Sequence, residues 1–413
     1  MRILVFEQWH GGHYFNYLEC LVPRLAQIAD EVIVAITETA YRSPLFADQL
    51  GPLETLVNVR FDASVSLPRP APPIVHRLTL GSHLIEAIRR HEPDHVFLPS
   101  ADEQSLPLPL MLWKLAGRRV PVEGVFHYKS FVANGTALER VMSAAERTLL
   151  KTGAFTRVHF VNFLQYEEAS RRGLNVVRFA RVAGDPVPQL PVGCRRAARD
   201  AIGIDGGGRL LAMIGALDRR KAVLPTVEAF RAAPLAPQDR LLLAGKLDPA
   251  YLAAIERDHH DLVRAGRLII LNRFLSTSEL RLCFAAADVN CSVYNDFYGL
   301  SSLMLKSLAA NVPVIVGRAG WASAIVKRFE VGHCVSPSDT QAYAELLPRA
   351  LDQSATYTRT SAVDRLMRFH SVENFVEGLL ENFLRHTGSA PAHSVLDWQW
   401  VMEGVDPERR RLR

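Results

Sequence analysis

The sequence predicts an α/β protein with two domains, each built on a parallel sheet covered by helices. Short uninterrupted apolar runs alternate with segments of helical periodicity, as expected when helices cover both faces of a sheet. This alternation occurs twice and is interrupted by a turn-rich segment close to residue 190. A length of 413 residues fits two or three domains of roughly 150 residues each.

The first half begins with a strand, a glycine turn and a helix. Ile3 to Phe6 is a short apolar run that precedes Gly11 and Gly12, and helical periodicity then extends to Ile28. A second apolar run, Val32 to Ile36, completes a strand–helix–strand unit. The later elements predicted in this half are helices at about 81–90, 108–115 and 137–151, strands at 95–98, 122–126 and 159–161, and a last helix that ends near 172–173.

A change in composition marks the boundary between the halves. Turn residues dominate Ala183 to Pro188, and a basic helix follows at 195–202. The second alternation comprises predicted strands at 210–215, 240–244, 268–271, 289–293 and 312–316 and helices at 226–232, 251–257, 278–286, 302–309 and 371–385. The predicted architecture is therefore α/β with two Rossmann-like domains, 1–188 and 189–370, facing each other across a cleft. We expect residues 371–413 to pack back on the first domain.

Composition excludes several classes of protein. With 48% hydrophobic and 22% charged residues the chain is globular, and a net charge of +5 suits phosphate-bearing ligands without indicating nucleic acid. Five cysteines without a C-x-x-C pair predict neither a disulfide framework nor a zinc ribbon. Stretches free of charged residues, such as Ser307 to Gly317, reach 11 residues, short of the ~20 that a spanning helix needs. We expect a cytoplasmic protein.

Three basic pairs leave a membrane contact open. They lie at 89–90, 118–119 and 171–172. Either they are solvated helix ends, or they rest on the inner face of an anionic membrane.

Polar residues follow predicted strands of the first half, where parallel sheets bind ligands. Gly11 and Gly12 open a helix, so they form either an anion-binding turn or only a tight turn. His127 directly follows the strand 122–126 and is either structural or a hydrogen-bonding group of the site. Asp102 and Glu103 follow strand 95–98 and either recognise acceptor hydroxyls or cap the next helix.

Two segments of the second half carry candidate ligands. Arg219, Arg220 and Lys221 follow its first strand and suit a diphosphate, the alternative being a solvated basic helix start. Residues Tyr294 to Ser302 follow a later strand and enter a helix, so their hydroxyls and amides suit a sugar or phosphate, or merely cap the helix. Motifs of the usual nucleotidases, dehydrogenases, proteases and lipases are absent from the sequence, as is a metal-ligand cluster.

The second half also resembles a known family. Met213 to Lys221 is similar to a "G-R-L-x-x-R-K-G" motif, and Phe274 to Leu280 to "F-x-S-x-x-E-L". Ala285 to Val289, Tyr298 to Leu300 and Ala310 to Ile315 resemble "A-A-A-D-V", "F-G-L" and "A-x-G-x-P-V-I" in the same order. The chain resembles the large family of retaining glycosyltransferases of the GT-B fold that makes bacterial polysaccharides, glycolipids and plant sucrose.

The resemblance implies an activity and the residues that carry it. It implies sugar transfer from a nucleoside-diphosphate sugar, a UDP- or GDP-sugar, to a sugar, lipid-linked or small-molecule hydroxyl acceptor, with retention and without a required metal or other cofactor. The implied catalytic residues are His127, Arg220, Lys221 and Asp296. The implied donor-binding residues are Gly11, Gly12, Gly215, Arg219, Arg220, Lys221, Phe274, Tyr298, Gly299, Leu300, Ser301 and Ser302, and those on the acceptor side are His13, Asp102 and Glu103.

The chain departs from the family pattern at specific positions. The family's two glutamates, eight residues apart, fall on Asp296 and Met304, and a methionine does not bind ribose hydroxyls as a carboxylate does. Ala216 replaces an expected arginine, for which Arg219 compensates, and the "G-G-x-P-E" turn becomes Gly320 to Ala324. The lost carboxylate motivates a second hypothesis, a degenerate relative that binds a nucleotide or glycan without catalysis. A sugar-nucleotide epimerase on the same fold is a third.

Overall fold

The computed structural model describes residues 1–11, 13–66, 72–115, 117–127, 137–188, 194–205, 207–295, 299–403 and 405. The chain divides into two compact units. The first comprises Met1–Pro186 and Phe369–Trp398, and the second comprises Val187–Arg368 and Gln399–Arg413. The segment after Phe369 is therefore shared, with its long helix in the first unit and its end in the second.

The first unit is built on a seven-stranded parallel sheet of order β3-β2-β1-β4-β5-β6-β7. Ile3 pairs with Val32 on one side and with His95 on the other, so β1 lies between β2 and β4. The strands are β1 Arg2–Phe6, β2 Glu31–Thr37, β3 Val59–Val65, β4 His95–Leu98, β5 Val122–Phe126, β6 Arg157–Phe160 and β7 Ala180–Val182.

Helices cover this sheet, as its buried strands require. They are α1 His13–Ile28, α2 Glu38–Tyr41, α3 Pro44–Gln49, α4 Pro73–His91, α5 Pro107–Met111, α6 Ala137–Leu149 and α7 Phe163–Arg171. Five single 3-10 turns accompany them, at Gly51–Thr55, Asp102–Gln104, Leu112–Leu115, Leu150–Thr152 and Asn175–Phe179. Side chains of β1, β4, β5 and β6 meet those of α4 and α5 in one apolar core.

The second unit repeats the plan with a six-stranded parallel sheet of order β10-β9-β8-β11-β12-β13. Its strands are β8 Leu210–Ile214, β9 Arg240–Ala244, β10 Leu268–Leu271, β11 Val289–Ser292, β12 Val314–Gly317 and β13 Gly332–Val335. Its helices are α8 Arg195–Ala201, α9 Val223–Ala232, α10 Pro249–Asp258, α11 His260–Arg264, α12 Thr277–Ala286, α13 Ser302–Ala309, α14 Gly320–Phe329, α15 Thr340–Ser354 and α16 Ser361–Phe369.

The predicted α/β class with two parallel-sheet domains is confirmed. The sequence pattern did not predict three of the strands, β3, β7 and β13. β3 is an edge strand that alternates apolar and polar residues and is mostly half-buried, while β7 and β13 have three and four residues. Such strands lack the uninterrupted apolar run that identifies a central parallel strand.

The C-terminal helix α17, Val372–Thr387, packs on α1 within the first unit. Ser371 caps its start by accepting a hydrogen bond from the Asn374 amide at 3.1 Å. Glu377 is buried and pairs with Arg24 of α1 at 2.8 Å. After it, α18 spans Trp398–Met402, and Trp398 stacks on Phe163 with ring centroids 4.4 Å apart.

Candidate active site

In both sheets the strand order changes direction at one point, and ligands of such folds bind outside the carboxyl ends of the strands there. In the first sheet this point lies between β1 and β4, and in the second between β8 and β11. Except for Phe274, the candidate residues of the second unit follow β8 and β11, on both sides of its switch point.

Lys221 is the central charged group of the second unit. Its side chain is only 3% exposed, and its ammonium donates to the carbonyl oxygen of Ile214 at the end of β8. The Nζ atom lies 5.8 Å from the centre of the Tyr294 ring, which follows β11. Burial lowers the pKa of Lys221 to about 7, since the charged form loses its hydration. This lysine therefore sits poised between charged and neutral forms near physiological pH.

The backbone around Lys221 depends on glycine. Gly215 has a φ of +101°, and a Cβ there would lie 2.4 Å from Leu303 Cδ1 and 3.4 Å from Lys221 Nζ. Gly245, after β9, approaches Gly215 so closely that a Cβ would lie 2.0 Å from the Gly215 carbonyl oxygen. The absence of a side chain at Gly215 thus keeps the space beside Lys221 open, and the absence of one at Gly245 allows the end of β9 to approach Gly215.

The other two cations of the predicted cluster are exposed. The Arg219 side chain is 86% exposed and lies 3.8 Å from an Asp248 oxygen. Arg220 is held by Asp218, with its Nη2 2.7 Å from an Asp218 carboxylate oxygen. Arg220 thereby holds the pKa of the Asp218 carboxyl below its ordinary value, against the effect of burial.

The segment after β11 enters α13 at its amino terminus. Ser301 is the N-cap and accepts a hydrogen bond from the Met304 amide at 3.3 Å. Ser302 is the first helical residue, Gly299 and Leu300 precede the cap, and Met304 is fully buried. Asp296 and Tyr298 lie outside the described residues. Phe274, which follows β10, is 75% exposed.

A cavity of about 480 Å³ opens at the same edge of the second sheet. It runs over the ends of β11, β12 and β13 and adjoins the segment that enters α13. Its walls are formed by Pro225, Ser292, Tyr294, Asn295, Gly299, Ser301, Gly317, Arg318, Ala319, Ala322, Ser336, Pro337 and Ser338.

The first unit buries a carboxyl at its own switch point. Glu7 directly follows β1 and is fully buried; it accepts hydrogen bonds from the Ser100 hydroxyl at 2.6 Å and the Trp9 amide at 2.8 Å. Burial raises the pKa of Glu7 to about 8, and the nearby Asp102 adds to the effect. Near neutral pH this side chain is largely a neutral acid.

His127 contacts Asp102, the carboxylate that acts on Glu7. Its backbone amide donates to an Asp102 carboxylate oxygen at 2.9 Å, and its Nε2 lies 2.9 Å from the Pro99 carbonyl oxygen. Because a carbonyl only accepts, Nε2 carries the hydrogen in this contact. The His13 ring lies 4.9 Å from the His127 ring, centre to centre.

The remaining predicted residues of the first unit have separate positions. Gly11 has a φ of +84° and its carbonyl oxygen accepts from the Tyr14 amide at 3.3 Å, at the start of α1. Glu103 lies 3.3 Å from the Arg77 guanidinium. Gly12 lies outside the described residues. The roles predicted for these residues stay predictions.

Several residues of these two regions carried no prediction. They are Glu7, Gln8 and Ser100 in the first unit and Ser292, Arg318, Ser336 and Ser338 in the second. Glu7 had a detectable signal, because an ionisable residue directly after a buried strand lies at the ligand-binding edge. Arg318 follows the apolar strand β12 in the same way.

Within the described part of the chain, helices of the length and apolarity needed to cross a membrane are absent.

Comparison with known proteins finds a family that is similar to the second unit. Residues 208–353 match the family described as "Glycosyl transferases group 1". A D-inositol 3-phosphate glycosyltransferase of Mycobacterium leprae (strain Br4923) is 30% identical over 219 residues, which are 50% of this chain and 49% of the relative. The match thus spans about half the length of that relative.

Solved structures match across both units. Sucrose-phosphate synthase from Thermosynechococcus elongatus aligns with a TM-score of 0.67 at 18% identity, covering 94% of this chain and 100% of that one. Anabaena HepE in complex with UDP and glucose aligns with a TM-score of 0.65 at 14% identity, covering 93% and 100%. The chain therefore has the GT-B fold, and its residues 208–353, within the second unit, are similar to the Glycosyl transferases group 1 family.

Proposed function

We propose that this protein transfers a sugar from a nucleoside-diphosphate sugar to a hydroxyl acceptor. The observation that carries the proposal is the buried Lys221, held at the switch point of the second sheet beside the space that Gly215 leaves open. An ammonium in this place attracts a diphosphate and stabilises the charge that grows on it as the sugar departs. HepE, which has the same fold, binds UDP and glucose, and this supports a UDP-sugar as donor ahead of a GDP-sugar.

The remaining steps of the proposed reaction follow the family resemblance. The sugar keeps its anomeric configuration, because the acceptor attacks from the face that the diphosphate leaves and the departing phosphate takes the acceptor's proton. No metal ion is required when Lys221 and the flanking arginines supply the positive charge. His127 and Asp296 contact the sugar, and exclusion of water prevents hydrolysis of the donor. The acceptor is a sugar, a lipid-linked sugar or a small molecule, and a lipid-linked acceptor requires contact with a membrane surface.

The proposal is tested by substituting Lys221. Purified full-length chain is incubated with UDP- and GDP-sugars, and release of nucleoside diphosphate is measured with and without a metal chelator. We expect Lys221→Ala to lower turnover by about 10²–10³-fold, the usual cost of removing one group that stabilises developing charge. Lys246→Ala is the matched control, since Lys246 is exposed and follows the neighbouring strand β9. Wild-type turnover by Lys221→Ala contradicts the proposal, and proton NMR of the product tests retention.

A binding protein without catalysis is the second candidate. Met304 favours it, because this buried apolar side chain stands where the family has a ribose-binding glutamate. Calorimetry with UDP and GDP shows whether the folded protein binds nucleotide, and the turnover assay then distinguishes the two functions. Tight nucleotide binding with slow donor hydrolysis supports the enzyme, whereas nucleotide binding without any turnover supports the binding protein.

A further inference from the structure

The cavity over β11, β12 and β13 has an unusual charge pattern. Among the described residues that line it, Arg318 is the only charged one, and none of them is a carboxylate. Arg318 is exposed and forms no ion pair with a carboxylate in the described part of the chain. Other arginines of this unit have such a partner, as Arg199 has in Asp288 and Arg209 in Asp239. The described walls of the cavity therefore carry net positive charge.

Two helix amino termini add to that charge. Ser301, the N-cap of α13, lines one wall, and Ala319, the N-cap of α14, lines another. Ala319 has no side-chain oxygen, so the first amides of the ten-residue α14 lack the capping acceptor that helices usually have. Ala322, in the first turn of α14, also faces the cavity. Both helix dipoles thus favour an anion between them.

The walls also offer hydroxyl donors. Ser292 is 2% exposed and accepts a hydrogen bond from Asn290 Nδ2 at 3.0 Å, but among the described residues its own hydroxyl hydrogen has no acceptor. Ser336 and Ser338 share one hydrogen bond of 2.9 Å, so one of their two hydroxyl hydrogens remains to donate. A buried donor without an acceptor costs free energy unless a ligand supplies one.

We propose that this cavity binds an anionic group of a sugar substrate, a phosphate or a carboxylate, with Arg318 as its counter-ion. The amides of α14 and the hydroxyls of Ser292, Ser336 and Ser338 donate to its oxygens. The assignment of this group to a sugar substrate rests on the function proposed above. The proposal of an anion site rests only on the charge, amides and hydroxyls of the cavity.

The anion site is separate from the proposed diphosphate site but adjoins it. Lys221 follows β8, whereas Arg318 follows β12, two strands farther along the sheet. Tyr294 connects them, because it lines the cavity and its ring lies 5.8 Å from Lys221 Nζ. A sugar attached to a diphosphate at Lys221 thus has the cavity as its neighbour.

Binding of inorganic phosphate tests the site without any transfer reaction. Phosphate is titrated into the full-length chain by calorimetry, once with saturating UDP and once in Lys221→Ala, so that the diphosphate site does not compete. We expect Arg318→Gln to weaken phosphate binding about tenfold or more, the usual effect of losing one charge-assisted partner. Arg264→Gln, at the end of α11 and the opposite edge of the sheet, leaves binding unchanged.

A second pair of variants tests the cavity without removing a contact. Ala322→Glu places a carboxylate in the cavity at a position where helices favour negative charge, so α14 remains folded. We expect it to abolish phosphate binding, and the isosteric Ala322→Gln to retain it.

Equal phosphate affinity in the wild type and Arg318→Gln overturns the inference, as does loss of phosphate binding whenever UDP is present. If UDP itself does not bind, the function proposed above is contradicted. The phosphate titration of Lys221→Ala then still tests whether the cavity binds an anion.

Two further titrations identify the source of the anion. The donor arm compares UDP-glucuronate with UDP-glucose, and the acceptor arm compares glucose 6-phosphate with glucose in the presence of UDP. We expect the anionic member of one pair to bind more tightly to the wild type, and Arg318→Gln to remove that preference. Equal binding within both pairs overturns the assignment to a sugar substrate.

Discussion

At the scale of single residues, two ionisable side chains are buried at carboxyl edges of the sheets. Lys221 ends the turn after β8, and Glu7 follows β1. Burial favours the neutral form of each group, so it lowers the pKa of Lys221 to about 7 and raises the pKa of Glu7 to about 8. Groups whose neutral form is favoured near neutral pH respond strongly to a ligand that brings charge.

Binding of UDP changes the charge of Lys221. In the free protein at pH 8 the ammonium is largely deprotonated, because burial lowers its pKa to about 7. A diphosphate beside it raises that pKa again, so we expect binding to take up nearly one proton and to weaken as the pH rises above 7. Calorimetry in buffers of different ionisation enthalpy measures this uptake. Lys221→Met is expected to remove it, and an uptake that persists in that variant contradicts the assignment.

Glu7 makes the stability of the first unit depend on pH. The unfolded carboxyl loses its proton near pH 4.5, whereas the folded one retains it until about pH 8. Folding stability therefore falls as the pH rises through this window, by an amount on the order of 5 kcal/mol. Glu7→Gln mimics the neutral acid, so we expect it to be more stable than the wild type at pH 8.5 and similar at pH 4.5. Thermal unfolding at both pH values tests this, with exposed Glu86→Gln as the control that leaves the difference unchanged.

At the scale of elements, α17 is attached to the first unit by polar contacts as well as by its apolar face. Glu377 is 2% exposed and accepts from Arg24 Nε at 2.8 Å and from the Ala392 amide at 2.9 Å. Asn382 Nδ2 donates to the buried Glu123 at 2.9 Å. Hydrogen bonds from two histidines hold the pKa of Glu123 at about 2, against the effect of burial. Detachment of α17 would therefore remove a partner from the charged side chains of Arg24 and Glu123.

Removal of the Glu377 carboxylate weakens this attachment. Glu377→Ala leaves the Arg24 guanidinium, whose side chain is 19% exposed, without its carboxylate partner. We expect a loss of about 3 kcal/mol, as for other buried ion pairs that lose one member. Faster hydrogen exchange of α17 amides measures it. Glu373→Ala, in the exposed first turn of the same helix, is the control, and equal exchange in the two variants refutes the role of Glu377.

At the scale of the whole molecule, the group proposed for the diphosphate, Lys221, belongs to the second unit. The donor-binding residues that the family resemblance implies at the start of α13, Ser301 and Ser302, belong to the same unit. We expect UDP to slow hydrogen exchange most at residues 214–221 and 301–305 and least at β3, the edge strand of the first sheet. Lys221→Ala removes this protection. Stronger protection of β3 than of 214–221 contradicts the placement of the donor site.

The sequence by itself determined the fold class, most of the central strands and the position of the basic turn. Uninterrupted apolar runs such as Ile3 to Phe6 and Leu210 to Ile214 have only one stable place, the middle of a sheet covered on both faces. Edge strands such as β3 escaped prediction, because exposure to solvent removes that pattern.

Tertiary structure alone decided which candidates are buried and which are exposed. Arg219, Arg220 and Lys221 are consecutive cations in the sequence, yet only Lys221 is buried, since its side chain turns under the end of β8. Arg318, Ser292 and Ser338 are far apart along the chain and meet in one cavity only because β11, β12 and β13 end at the same edge. The local sequence pattern indicates the periodicity of one helix or strand. A site, in contrast, forms where paired strands that are distant in sequence end at the same edge of a sheet.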